Sequence, residues 1–376
     1  MFMLHALRLA TVCTAGLLAV ASPTLQAETL VYGSWPPSSD FLNEVTLPEA
    51  FAAIEKETGG KVKWDLISGG QLADGRGTFA AVADGVMDAG LAIPIYVPDA
   101  VPTLALMYSV IIPGDDPVVT AGAAIETIFK DCPECLEEAR DYGVVLLGGF
   151  ASASYRLMCT TPVASVADLK GKRVRATGGY GEIIRQAGGT PLSLTLTDAV
   201  SLLQRGGLDC AVGAREWLQT YGYGDFAKHV TDAAMGSTGP AVGLFMNRDR
   251  FKALSPEVQR AHLRQSATIT ARHTIGNYVR KDQASFDNQI KTNGVRTVAP
   301  TADLVAIFEN FPATDRERLI ANGKQIGVAN PEALLDAYAR NVQKWQTLSG
   351  EIQGDESRFA EKLWQEVFQD LDVNQL

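Results

Sequence analysis

YRLMCTTPVASVADLKGKRVRATGG, residues 155–179, carries the reading from which the architecture follows. Residues 155–160 are extended and mostly apolar. Residues 166–169 make a short helical turn. Residues 173–177 (RVRAT) form a second strand, closed by Gly178-Gly179, and a helix follows over 181–187. Downstream, a helix at 197–205 precedes a strand at 210–212, and strands recur at 229–231 and 242–247. Upstream the alternation is similar. Strand 29–32 leads into Gly33-Ser34-Trp35-Pro36-Pro37, and a helix covers about 40–58. Strand 61–66 leads into the turn Ser68-Gly69-Gly70-Gln71, with a helix over 75–84 and strand 87–93 behind it. A helical region over 118–142 then feeds the apolar strand 144–150 (VVLLGGF). Alternation of this kind builds a mostly parallel sheet with helices on its faces.

Two such sets, one on each side of residue 154, suit a chain of 376 residues, since a domain takes roughly 150. Pro256 opens a helical pattern running to about residue 291, and Asn293-Gly294 stops it. At 1.5 Å per residue that rod is about 54 Å long, more than one domain of this size needs. It is therefore expected to run along both. Helices at about 315–325, 331–348 and 355–370 end the chain.

Hydrophobic residues make up 46% and charged residues 20%, the balance of a folded chain rather than a disordered or multi-pass membrane one. Lys+Arg total 33 against 43 Asp+Glu, for a net charge of −10. A nucleic-acid partner would call for the opposite sign.

Residues 1–27 read as a secretory signal. Arg8 precedes the apolar run 9–21, Pro23 breaks it, and Leu25-Gln26-Ala27 offers a cleavage site. The run is shorter than the roughly 20 residues a bilayer span needs. The competing readings are a lipid anchor at Cys13, disfavoured by Val12 before it, and an uncleaved anchor helix. The mature chain is expected to be exported to the periplasm and soluble.

Cys132, Cys135, Cys159 and Cys210 remain after cleavage. Cys132-Pro-Glu-Cys135 has redox spacing, but a thioredoxin-like enzyme sets that motif at a helix start after its first strand. Here it follows a helical stretch, which favours a structural disulfide. Zinc lacks a second Cys/His pair at suitable spacing. In an oxidising compartment the simplest fate of Cys159 and Cys210 is a bond to each other.

Catalytic motifs are absent: there is no H-E-x-x-H and no G-x-S-x-G. The Thr177–Gly181 turn lacks both the G-K-[ST] and the G-x-G-x-x-G endings. His229, His262 and His273 read as packed or surface side chains. Arginines carry more. Arg175 ends a strand just before the glycine turn, where open α/β sheets bind ligands. Arg156 interrupts an apolar strand. A guanidinium matches a carboxylate in bidentate fashion and stays charged at physiological pH. The plain alternative for each is an internal ion pair or a solvated side chain. Trp35 and Trp217, at turn positions, offer flat faces to an organic skeleton, or else pack the core or rim.

Val166-Ala-Asp-Leu-Lys-Gly-Lys-Arg-Val-Arg175 resembles the P-x-D-L-K-G-x-K-[IV]-R signature of DctP-type solute-binding proteins of tripartite ATP-independent periplasmic (TRAP) transporters. Leu202-Leu-Gln-Arg-Gly-Gly-Leu-Asp209 resembles A-L-Q-x-G-x-[VI]-D. Ser68-Gly-Gly-Gln71-Leu-Ala-Asp resembles the early x-x-G-Q-L-G, and Tyr155-Arg156-Leu the aromatic-Arg-x strand.

The resemblance implies a two-lobed Venus-flytrap fold with one long helix shared by the lobes. It places residues 28–153 with 238–275 in one lobe, and 154–237 with 276–376 in the other. It implies capture of a small organic acid, with Arg175 as the carboxylate clamp and Arg156 as its auxiliary, and delivery to an ion-driven membrane permease. It implies no enzymatic turnover and no resident cofactor, and leaves open a cation bridging the ligand. Arg215-Glu216-Trp217 resembles a segment other members use for ring or metal contacts, and Gln71 and Tyr180 complete the candidate set. Tyr180 with the two tryptophans hints at a bulkier or aromatic skeleton.

One departure stands out. Many sialic-acid and dicarboxylate members carry D-G-Q-E-N, where this chain has Asp209-Cys-Ala-Val-Gly213, so those ligands do not carry over. Two readings compete with transport: a ligand sensor feeding a receptor, and an exported α/β enzyme.

Overall fold

A computed structural model describes residues 28–376. The signal segment lies outside the described residues. Among the described residues eleven strands form two mixed sheets. The first holds β1 (Glu28–Gly33), β2 (Val62–Ile67), β3 (Ala89–Ala92), β4 (Val144–Phe150) and β10 (Ala241–Asn247), in the order β2-β1-β3-β10-β4. The second holds β5 (Arg156–Cys159), β6 (Arg173–Arg175), β7 (Thr190–Leu192), β8 (Cys210–Gly213), β9 (His229–Thr231) and β11 (Arg296–Val298), in the order β11-β9-β5-β8-β6-β7.

Each sheet is mostly parallel apart from one intruder. β10 runs antiparallel between β3 and β4, and β5 runs antiparallel between β8 and β9. Both are strands the chain lays down as it crosses from one sheet to the other. β4 and nearly all of β10 are buried, which accounts for their unbroken apolar sequences.

Residues 256–293 form one continuous helix. The Ser255 hydroxyl accepts the Val258 N–H, Pro256 occupies the first turn, and Gly294 ends the helix with φ of 67°. Its first part packs on β4, where the Thr270 hydroxyl donates to the Gly149 carbonyl at 2.6 Å. Its last part packs on the helix Trp217–Thr220, where Asp282 pairs with Arg215 at 2.8 Å. Between them, Arg272–Lys281 is wound in wider, π-type turns. Such widening re-aims side chains and is frequent at functional sites.

Two helical features differ from expectation. The stretch 118–142 is broken at Cys132, which caps the helix Pro133–Asp141. The CPEC motif therefore does open a helix, yet both of its sulfurs are buried in a bond to each other, with no thiolate exposed for exchange. Cys159 and Cys210 face one another across β5 and β8 and are also bonded.

The second difference concerns Pro331–Ile352, which the sequence groups with the second lobe. It lies against the helix Pro117–Glu126 beside the first sheet. There the Trp345 ring rests on Gly122, where a Cβ would sit 2.2 Å from the ring. Its indole N–H donates to Glu126 at 2.7 Å.

Candidate functional site

The two sheets and the widened part of the long helix enclose a cavity with about 30 Å³ of water-accessible space. The first sheet and its connections contribute Trp35, Asp40, Leu91, Ile93, Tyr96, Tyr108 and Phe150. The second contributes Tyr155, Arg175, Leu196, Trp217 and Tyr221. The long helix adds His273 and Tyr278.

Arg175 is the last residue of β6, beside β7 and β8, at the carboxyl edge of three parallel strands. It is 3% exposed. Its Nε donates to the Leu194 carbonyl at 3.1 Å, Nη1 to the Val212 carbonyl at 3.1 Å, and Nη2 to the Tyr96 hydroxyl at 3.0 Å. A guanidinium has five N–H donors, so each terminal nitrogen keeps one hydrogen for a ligand. Burial opposes its charge, but the surrounding Tyr96, Tyr223, Tyr155 and Tyr108 outweigh this, and its pKa lies above the usual value. Among the described residues no carboxylate lies within ion-pair distance of it.

Trp217 packs under the guanidinium, its ring centroid 5.5 Å from Arg175 Cζ. This close seat depends on Gly213, where a Cβ would meet the Trp217 ring at 2.0 Å. The residue that breaks the D-G-Q-E-N pattern thus makes room for an aromatic floor. Trp35 anchors the opposite wall by donating its indole N–H to the Leu91 carbonyl at 3.1 Å.

The far end is acidic. Asp40 accepts the Leu42 N–H at 2.9 Å and the Tyr221 hydroxyl at 3.1 Å. Burial raises its pKa more than these bonds and Lys281 lower it. Glu216, behind it, is pushed up to about 8 by burial and by Asp40. His273 is held neutral, pushed down to about 3 by burial and by Lys281.

Of the residues singled out in the sequence, Arg175, Trp217 and Trp35 meet in the cavity; the other four do not line it. Arg156 points off the opposite side of its strand, to Asp115 at 3.2 Å and to Ser154. Its neighbour Tyr155 takes the cavity face, because successive strand residues project to opposite sides. Tyr180 is buried and donates to the Gly236 carbonyl at 2.8 Å. Gln71 is exposed and bonds only to the Ser68 carbonyl, at 2.9 Å. Glu216 is buried, bonded to Thr220 at 2.6 Å. Among the described residues no three His, Cys, Asp or Glu side chains gather as metal ligands.

Comparison with known proteins decides the family. The model of the bacterial extracellular solute-binding protein family 7, DctP, matches residues 43–312. The chain belongs to that family.

Solved structures agree on the fold of this solute-binding protein. A marine metagenome TRAP solute-binding protein in complex with 3-hydroxybenzoate is 18% identical, with TM-score 0.74 over 85% of this chain and 99% of that one. The Rhodoferax ferrireducens TRAP solute-binding protein in complex with copurified benzoate is also 18% identical, with TM-score 0.73 over 85% and 99%. DctP7 of Bordetella pertussis, an extracytoplasmic solute receptor binding pyroglutamic acid, is 19% identical, with TM-score 0.70 over 83% and 100%. The two-lobed fold and the receptor role, rather than enzymatic turnover, follow from the family. Among the described residues no helix is long and apolar enough to cross a membrane.

Proposed function

We propose that this solute-binding protein captures an organic acid in the periplasm and hands it to a TRAP-type membrane permease, with Arg175 as the carboxylate clamp. A single observation carries this reading. A permanently charged guanidinium is buried at the edge of a cavity, with no carboxylate of the described residues beside it and a hydrogen free on each terminal nitrogen. An unpaired buried charge is costly, and a ligand carboxylate placed there supplies both the counter-charge and the acceptors. The related proteins crystallised with benzoate, 3-hydroxybenzoate and pyroglutamic acid support the same ligand class.

We place the lobe boundaries as given above, with Pro331–Ile352 moved to the first lobe. The walls close over the anion, and a drier site strengthens the charged contact. Arg175→Ala is expected to lower affinity for the bound acid at least a hundredfold while the fold survives, since β6 keeps its backbone partners. Calorimetry on the wild type and variant, after a thermal-shift screen of organic acids, tests it. Full affinity in Arg175→Ala would remove the clamp.

A further inference from the structure

The cavity has two chemically opposite ends joined by one ring. Trp217 lies 5.5 Å from Arg175 Cζ and 6.3 Å from the Tyr221 ring, and the Tyr221 hydroxyl reaches Asp40 at 3.1 Å. An acid seated on Arg175 and lying along Trp217 therefore directs its other end at Asp40.

Asp40 is buried, and its two oxygens hold one hydrogen bond each. A carboxylate has about four lone-pair sites, so acceptor capacity remains. The indole N–H of Trp217, 3% exposed, makes no well-formed hydrogen bond; its polar neighbour is the Tyr278 hydroxyl, which also lies near Asp40. A donor-hungry carboxylate and a spare N–H together fit a group that both gives and accepts a hydrogen bond.

We propose that Asp40 and the Trp217 N–H recognise a hydroxyl at the end of the ligand remote from its carboxylate, so that the cargo is a hydroxylated monocarboxylate. This rests on the reading of Arg175 as the carboxylate clamp.

The alternatives fit less well. A second carboxylate would meet Asp40 with like charge. An ammonium has no lone pair for the indole N–H. It would also add a cation where the Lys281 amino group, bonded to the Ser39 carbonyl at 3.3 Å, already stands. A hydroxyl leaves the charge balance unchanged: Arg175 is matched by the ligand carboxylate, and Asp40 by Lys281.

Matched acids test this by calorimetry at pH 7: benzoate against 3- and 4-hydroxybenzoate, hexanoate against 6-hydroxyhexanoate, and isophthalate as the diacid. The better hydroxylated member of a pair should bind at least tenfold tighter than its parent, and isophthalate weaker than benzoate. Asp40→Asn keeps an oxygen for the Leu42 N–H but removes the charge. It should shrink the hydroxyl advantage, taken as the affinity ratio of each matched pair within the same variant, below threefold. Trp217→Phe, which keeps a ring and loses the N–H, should also reduce the advantage.

Parent acids that bind through Arg175 with no gain from a hydroxyl would overturn this inference and leave the proposed function standing. So would an advantage that survives Asp40→Asn. If no acid of the panel binds, both readings fall.

Discussion

Glu216 keeps its proton where an ordinary glutamate would lose it. In the unfolded chain such a carboxyl titrates near 4.5, whereas in the fold it is pushed up to about 8, by burial first and by Asp40 second. Its stabilising effect is therefore complete below pH 4.5 and is lost as pH rises to 8. His262 and His273 act in the opposite sense. Burial pushes them down to about 4 and about 3 from an ordinary 6.5. Their effect is complete above 6.5 and is lost as pH falls through those values. His262 shows the cause, for a neutral ring with its proton on Nδ1 donates to Val258 at 2.7 Å and accepts from the Trp64 indole at 3.2 Å. These three groups together place maximum stability near pH 6.5, with a fall toward pH 8 of about 1.4 kcal/mol per pH unit. Denaturation midpoints measured from pH 5 to 9 should show that fall, and Glu216→Gln should flatten the alkaline side and steepen the rise between pH 5 and 6.5. A wild-type profile that is level from 6.5 to 8 would refute the assignment.

Single residues also mark the limit of what sequence could reveal. Arg175 was legible because it ends a short strand ahead of two glycines. Arg156 misled by one position, since nothing in an apolar strand says which of two neighbours faces inward until a partner sheet is fixed. Asp40 opens the helix expected over about 40–58, and its carboxylate accepts the Leu42 N–H there. Its place in the cavity depends on Tyr221, which only the fold brings near.

Elements differed in the same way. The long helix announced itself through Pro256 and Asn293-Gly294, both strong local signals, whereas its wide turns at Arg272–Lys281 left no mark in the sequence. β7 and β11, three residues each, are too short to display alternation and owe their existence to neighbouring strands. The Cys159–Cys210 bond ties β5 to β8, next to the strand that carries Arg175. Replacing both cysteines by alanine should cost about 2–4 kcal/mol of stability, read by chemical denaturation. It should leave ligand affinity within severalfold, since neither sulfur lines the cavity. An unchanged denaturation midpoint would show that pairing in the sheet suffices.

At the scale of the whole molecule, the lobes touch across the cleft through Arg175 to Tyr96, Tyr221 to Asp40, and Arg76 to the Ser193 carbonyl at 3.2 Å. Arg76 lies outside the cavity lining but rests on Tyr96, so Arg76→Ala should act chiefly on closure. A hydrogen bond of this kind contributes about 1 kcal/mol, hence roughly fivefold faster ligand release. Stopped-flow tryptophan fluorescence, with Trp35 and Trp217 both in the cavity, would measure it, and an unaltered release rate would mean that the contact does not hold the lobes together.

The position of β10 has a further bearing on how the protein comes into being. β3 and β4 do not pair with each other; β10 alone joins them, and it is made only after the whole of β5 to β9. A fragment stopping short of residue 241 would have a rift down the middle of its first half. Order of synthesis is thus not order of completion. The half that leaves the ribosome first must wait, unfinished, for a keystone delivered by the other.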